Sequence, residues 1–364
     1  MVEIICSTNG KTMQPLDWQC AESESPLDLK GLPIFNPDAI IEDDFSIWRY
    51  QAMLPVEKRF TLGEGMTPLV PTEIDGTPFH AKLEYLNPTG SYKDRGTAVM
   101  MNHIAAQGVT EVVEDSSGNA GASVAAYSSV AGIHARIYVP ATGSPAKKGL
   151  IKAFGAELME IEGEQHAKTL ACLEAAKTTT YASHAWSPFF VLGQTTVGWE
   201  VWEQLGRRAP DAIVTPLGHG GLFLGFWRGF KALYEAGLID KLPQMFAVQS
   251  AGCDPIVQAV EQDLEETPPV TPTYTVADGI IVEIPVRGKE VLQAIRESNG
   301  SAIRVDNEAI LAAQAKLSRK GMIVEPTSSV SVAALEVIRS KIEADNPTLV
   351  VALTGNGLKN VGSL

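Results

Sequence analysis

From about Glu84 to its last strand the chain alternates short, β-rich apolar runs with stretches whose apolar residues recur at helical spacing. This is the pattern of an α/β fold with mostly parallel sheet. A helix is predicted from Lys93 to near Gly108, a strand over 110–115, a helix from Asn119 to just before Gly132, and a strand over 135–140. A helix over 145–154, a strand over 157–163 and a longer helix over 164–178 complete one compact block. The segment SPFFVLGQ, 187–194, reads as a loop. After it come helix 195–206, strand 211–216, helix 222–237, strand 244–250 and helix 254–262, which call for a second sheet. The Pro/Thr-rich stretch 263–275 interrupts the series as a linker. Helices from Asn307 and after Glu325 then lead to a last apolar strand over 348–355.

At 364 residues the chain exceeds the roughly 250 to 300 residues that a single core supports, so two domains are expected. Hydrophobic residues make up 45%, the composition of a globular protein, and there is no solenoid-period repeat. Acidic residues outnumber basic ones 43 to 29, for a formal charge of -14, and no Lys/Arg run could track a phosphate backbone. Nucleic acid is therefore not an expected partner. No apolar run approaches a membrane span, and the first residues, MVEIICSTNGK, lack a basic region followed by an apolar core, so a cytoplasmic protein without a membrane partner is expected. The four cysteines are too scattered for a disulfide framework. Residues 1–30 look like a degenerate zinc ribbon: Cys6 and Cys20 each occupy the first place of a CxxC, while Asn9 and Ser23 replace the second thiolates. Four-thiolate zinc cannot be held there, and no bound metal is expected.

Four segments carry candidate chemistry. In NPTGSYKDRG, 87–96, a Pro/Gly turn delivers Lys93 to a helix start, where the helix dipole disfavours its ammonium form and so favours the neutral amine that an aldehyde cofactor needs. A surface lysine beside a capping Asp94 explains the segment equally well. In DSSGNAGAS, 115–123, Ser116, Ser117 and Gly118 let backbone amides converge on an anion, and Asn119 offers a neutral amide; a plain strand-to-helix turn is the alternative. In TPLGHGGLFLG, Gly218, His219, Gly220, Gly221 and Leu222 follow an apolar strand and open an amphipathic helix. That arrangement suits a monophosphate, because the Walker A lysine is missing and Phe223 occupies the third glycine position of a dinucleotide loop. In ALTGNGLK, Thr354 closes the last strand with a hydroxyl that can bond a ring nitrogen without bringing charge. No HxxxH or HExxH spacing supports a catalytic metal, and there is no GxSxG elbow.

In this order the four segments resemble the fold-type II pyridoxal-phosphate (PLP) enzymes, the group of tryptophan synthase β, cysteine synthase, the serine/threonine ammonia-lyases and threonine synthase. SIWRYQAMLPV, LGEGMTPL, SYKDRG, SSGNAGAS, GQTTVGWEVWEQLG and TGNGLK are most similar to the threonine synthase branch, and the likeness covers almost the whole chain. The resemblance implies a two-domain α/β fold, tryptophan synthase β-like, with parallel and mixed sheets flanked by helices. A large PLP-binding domain would span 31–96 and 182–364, with a small domain, 97–181, inserted in it. It also implies that Lys93 carries PLP as a Schiff base and shuttles protons, and that Asn119 bonds the 3-hydroxyl. Gly218 to Leu222, His219 included, would wrap the phosphate; Thr354 would face the pyridine nitrogen; Ser116 and Ser117 would hold the substrate carboxylate. A homodimer with a small amino acid as substrate follows from the same resemblance.

Two departures bear on the substrate. Threonine synthases of this type carry an Asn-Pro-x-Arg run before the GQ, whose arginine binds the phosphate of O-phosphohomoserine; here Ser187 and Phe190 take those two places. TVADGIIVE, 275–283, is closer to the ADGI segment of ammonia-lyases. Elimination or replacement on another small amino acid is therefore the favoured reading, with Phe190 as a substrate-side residue. Authentic threonine synthase and a PLP-binding protein without catalysis are the alternatives. Borohydride reduction of the cofactor-loaded protein followed by peptide mapping should place the cofactor mass on Lys93, and a label on another lysine would overturn the assignment.

Overall fold

The computed structural model describes residues 2–142, 145–163 and 165–359, without the side chains of 145–147 and 165. In chain order the elements are β1 (Glu3–Cys6), β2 (Leu27–Lys30), β3 (Leu69–Ile74), β4 (Thr77–Lys82), α1 (Lys93–Ala106), β5 (Glu111–Glu114), α2 (Asn119–Ala131) and β6 (His134–Pro140). Then follow α3 (Pro145–Ala153), β7 (Glu157–Ile161), α4 (Gln165–Ala175), β8 (Thr180–Tyr181), α5 (Pro188–Gln204), β9 (Ala212–Pro216), α6 (Gly221–Glu235) and β10 (Gln244–Ser250). The chain closes with α7 (Pro255–Glu261), α8 (Gly288–Glu297), β11 (Ser301–Val305), α9 (Asn307–Arg319), α10 (Pro326–Ala333), α11 (Leu335–Ser340) and β12 (Leu349–Ala352). Glu164, the first residue of the predicted fourth helix, lies outside the described residues.

Two compact units emerge. One comprises Met1–Gly65, Asn87–Thr89 and Lys93–Gly193; the other comprises Met66–Leu86, Gly90–Tyr92 and Gln194–Leu364. The first unit holds an all-parallel sheet in the order β7-β6-β5-β8. The second holds β11-β10-β9-β12-β4-β3, parallel throughout except for the antiparallel β3–β4 hairpin at its edge. Every residue of β9 and β12 is buried, as expected of central parallel strands covered on both faces. Asp75 and Gly76 turn the hairpin, both at positive φ (52° and 79°), the requirement of a two-residue type I′ loop. Inside the second unit, Lys82 and Glu200 form a fully buried ion pair; Lys82 also donates to Gln204 Oε1 (2.9 Å) and to the Thr67 carbonyl (2.6 Å). Those extra acceptors offset the desolvation that an isolated buried ammonium would suffer.

The expected loop 187–194 is instead the first part of α5. Pro188 is the first helical residue, where its missing N–H costs nothing, and Ser187 Oγ accepts the Phe190 N–H at 3.3 Å as a cap. Phe189, Phe190, Val191 and Leu192 are all buried, so packing holds that turn in place.

At the N-terminus, β1 and β2 pair with Cys6 opposite Leu27. The Cys6 carbonyl accepts the Gly10 N–H (3.0 Å) and the Cys20 carbonyl the Glu24 N–H (2.8 Å), two similar turns. Cys6 Sγ lies 3.3 Å from Ser23 Oγ and 3.4 Å from Ser25 Oγ, and Cys6, Cys20 and Leu27 form a small core with Ile4 and Met13. Burial raises the Cys6 thiol, but hydrogen bonds from Cys20, Ser23, Ser25 and the Asn9 backbone outweigh it and bring it to about 6. Among the described residues no group of three or more His, Cys, Asp or Glu is placed to hold a metal ion, and no helix is long and apolar enough to cross a membrane. Protein purified without added zinc should contain substoichiometric metal. Chelator should leave its melting temperature within about 1 °C, since only a bound ligand contributes linked stability; one tightly held zinc per chain would contradict this.

Candidate active site

In the first unit the turn before α1 is fixed by a buried carboxylate. Asp94, the second residue of α1, is fully buried and accepts the Thr89 N–H (2.7 Å), the Thr89 hydroxyl (2.6 Å) and the Ser123 hydroxyl (2.7 Å). Burial pushes Asp94 up to about 6 against the pull of these three donors. A surface turn with an exposed capping aspartate is thereby excluded, and Lys93 begins the helix half-buried. Its Nζ stands 5.6 Å from the centre of the Phe190 ring.

The parallel strand β5 ends at Glu114, and Asp115 to Gly118 lead into α2. Ser116 Oγ accepts the Gly118 N–H (3.3 Å), and no side chain caps the helix. Ser116, Ser117 and Asn119 are half-buried, within reach of a small molecule. Gly121 sits so close behind this turn that a Cβ would lie 1.9 Å from the Ser116 carbonyl oxygen, which only glycine accommodates.

Phe190 is buried, and its ring meets the His184 ring edge-on, with centroids 6.0 Å apart at 71°. The neighbouring Phe189 points elsewhere and stacks on His103 at 3.6 Å. Two cations that could replace a missing arginine have carboxylate partners: Lys148 bonds Glu160 (2.7 Å) and the Ala141 carbonyl (2.6 Å), and Arg228 bonds Glu290 (2.6 Å). The Lys147 side chain lies outside the described residues.

In the second unit, β9 runs into Gly218, His219 and Gly220, and α6 starts at Gly221. Gly220 has φ +92°, and a Cβ there would lie 2.6 Å from Val291 Cγ2; a Cβ on Gly218 would approach Val282 and Ile280 at 3.3 and 3.4 Å. No side chain caps α6, so its first amides have no side-chain acceptor and suit an anion. Leu222 turns its side chain into the core. Thr354 follows β12 and is buried. Its carbonyl accepts the Tyr92 N–H (3.1 Å), and its hydroxyl lies 3.0 Å from Ser328 Oγ. Ser328 Oγ also accepts the N–H groups of Thr354 (3.0 Å) and Gly355 (2.8 Å), leaving its one proton for the Gly355 carbonyl (3.2 Å) or for the Thr354 hydroxyl.

Residues 60–355 match the model of the family described as pyridoxal-phosphate dependent enzyme. The chain belongs to that family. Its relatives include threonine synthases of Methanosarcina acetivorans, 36% identical over 326 residues (86% of this chain, 80% of the relative), and Methanocaldococcus jannaschii, 34% identical over 330 residues (87% and 81%). Among solved structures, a threonine deaminase of T.th. superposes with a TM-score of 0.69 at 27% identity, covering 80% of this chain and 92% of that one. A serine racemase of Dictyostelium discoideum, at 24% identity and TM-score 0.68 over 80% and 92%, shares the fold. The cofactor of this PLP-dependent enzyme is pyridoxal phosphate. The chain's own residues fit it: the first amides of α6 have no side-chain cap behind a Gly220 turn at φ +92°, and Thr354 and Ser328 offer neutral hydroxyls.

Three residues of this PLP enzyme's surroundings were missed by sequence reasoning. Ser328 left only a faint signal, a small polar run in PTSSVS. Glu114 and His184 left none as a pair, because they meet through β5–β8 pairing; His184 Nδ1 lies 2.8 Å from Glu114 Oε1. Ser328→Ala should strand the buried amides of Thr354 and Gly355 and lower the unfolding free energy of the cofactor-free protein by about 1 to 3 kcal/mol. Urea denaturation measures this, and an unchanged midpoint would show that water replaces the hydroxyl.

Proposed function

We propose that this PLP-dependent enzyme carries out elimination or replacement on a small amino acid other than O-phosphohomoserine. The observation that supports it is Phe190: a ring 5.6 Å from the Lys93 amine is apolar where the threonine synthase pattern has an arginine, and Lys148 and Arg228 are held by their own carboxylates. The reading gives Lys93 the covalent link to the cofactor and the removal of the Cα proton. Amides of Gly218, His219, Gly220, Gly221 and Leu222 take the phosphate, Asn119 the 3-hydroxyl and Thr354 the pyridine nitrogen; Ser116 and Ser117 orient the substrate carboxylate. When bound, PLP supplies an electron sink for the pair left at Cα. A neutral partner such as Thr354 makes that sink weaker than a carboxylate would, which suits elimination and replacement over transamination. A cytoplasmic homodimer belongs to the same reading, and sedimentation tests the dimer.

Authentic threonine synthase remains the second reading, favoured by the relatives that carry that name at 34–36% identity. Steady-state assays with O-phosphohomoserine, threonine and serine decide between them. Charge-assisted bonds to phosphate contribute about 1.5 to 3 kcal/mol each, so its specificity constant should fall about 100-fold or more below that of the preferred substrate. Efficient release of threonine from O-phosphohomoserine would overturn the proposal and establish the second reading.

A further inference from the structure

β5 and β8 are adjacent parallel strands, with Val112 opposite Thr180 and Val113 opposite Tyr181, and the Ala182 N–H continues the ladder to the Val113 carbonyl (2.9 Å). Both strands leave the sheet at its carboxyl edge, the edge where α/β sheets present groups to ligands. Glu114 is the last residue of β5, and His184 lies three residues beyond β8. The same edge carries Ser116, Ser117 and Asn119. Glu114 is wholly buried, while the His184 side chain keeps 14% exposure, so the carboxylate works only through the imidazole. Phe190 connects this pair to the reacting lysine, its ring meeting His184 edge-on and lying 5.6 Å from Lys93 Nζ.

We propose that His184 is the residue that protonates the departing group of a β-hydroxy amino acid, with Glu114 as its positioning residue. The inference rests on the elimination reading above and names its substrate class.

With Nδ1 turned to Glu114, the geometry of the ring turns Nε2 away from the strand end. Two arrangements leave the pair neutral: carboxylate with imidazolium, or carboxylic acid with imidazole. Imidazolium carries a proton on Nε2, and so does an imidazole whose Nδ1 accepts the O–H of the carboxylic acid. Burial favours the neutral pair, because it holds Glu114 well above the usual carboxylate range, with Asp115 adding to the effect and Lys168, Lys93 and the His184 backbone opposing it. Among the described residues, Tyr181 on β8 and Cys172 on α4 also face the pair, both raised by burial. In this proposal the donor is loaded before reaction. Lys93 removes the Cα proton, the Cβ–O bond breaks with its electron pair going to oxygen, and that oxygen takes the Nε2 proton. One water leaves, a Cα=Cβ bond remains in the amino-acid skeleton, and the pair, one proton poorer, is reloaded from solvent.

The test compares L-serine with β-chloro-L-alanine, whose chloride departs without a proton, in holoenzyme carrying His184→Gln or Glu114→Gln. General acid catalysis contributes about 100-fold to 10,000-fold, so His184→Gln should lower serine elimination about 100-fold or more while β-chloroalanine turnover stays within about threefold. Turnover of β-chloroalanine also reports that the variant is folded. In the wild type, the serine rate should fall as rising pH deprotonates the donor while the β-chloroalanine rate does not; in His184→Gln the two profiles should coincide. The dissociation constant of L-alanine, which has no leaving group, read from cofactor absorbance, should change by less than about twofold. An equal loss on both substrates, or serine turnover that survives His184→Gln, would overturn this role while leaving the elimination reading intact. Wild-type protein that converts neither substrate would overturn both.

Discussion

The carboxylate of Asp94 is the constraint on which the first unit's chemistry depends. It is out of contact with water, and its three donors come from both sides of the turn: Thr89 ahead of α1 and Ser123 on α2. A buried carboxylate without partners is unfavourable by several kcal/mol, so the three donors are obligatory and can be met in only one arrangement of turn and helices. That arrangement fixes where Lys93 leaves the helix start. It also ties α2, which opens with Asn119, to the turn that presents the lysine. Gly193 of α5 adds to the constraint, because any Cβ there would stand 2.3 Å from the Arg95 carbonyl oxygen, so α5, with Phe190 on its first turn, packs against the backbone of α1.

Much of this was legible along the chain. Central strands such as β9 and β12 are buried at every position and apolar at all but Thr215, and α6 carries an unambiguous apolar stripe, so the hydrophobic pattern alone located them. The glycine turn at 218–221 was legible because phosphate cradles leave a compositional mark. The β3–β4 hairpin was not evident from its strands, since LVPTEI is only partly buried and mixes polar with apolar residues, although Asp75-Gly76 is a strong turn signal. The start of α5 was lost for the opposite reason: Pro188 and two phenylalanines look like a loop until Ser187 is recognised as a cap. Contacts between residues far apart in sequence, such as Glu114 with His184 or Ser328 with Thr354, depend on which strands lie side by side, and one-dimensional patterning does not carry that information.

The family and the side chains at the sheet edge answer different questions. Membership fixes the cofactor, and relatives bearing the name threonine synthase share about a third of their residues with this chain. Solved structures of the same fold include a deaminase and a racemase, so the scaffold accommodates several fates of an amino acid. On the reading proposed above, what distinguishes one fate from another would be concentrated beyond the strand ends, at Phe190 and His184, which lie on a helix's first turn and in the loop before it.

The seating of Gly121 against the Ser116 carbonyl has a consequence for affinity. A turn clamped this tightly cannot relax outward, so Ser116, Ser117 and the amides between them hold one geometry with or without a guest. Loops that must order on binding lose about 0.5 to 1.5 kcal/mol for each immobilised side chain. A rigid turn avoids that loss, so, with Ser116 and Ser117 in the proposed role, discrimination among small amino acids would rest on what lies beyond their shared carboxylate.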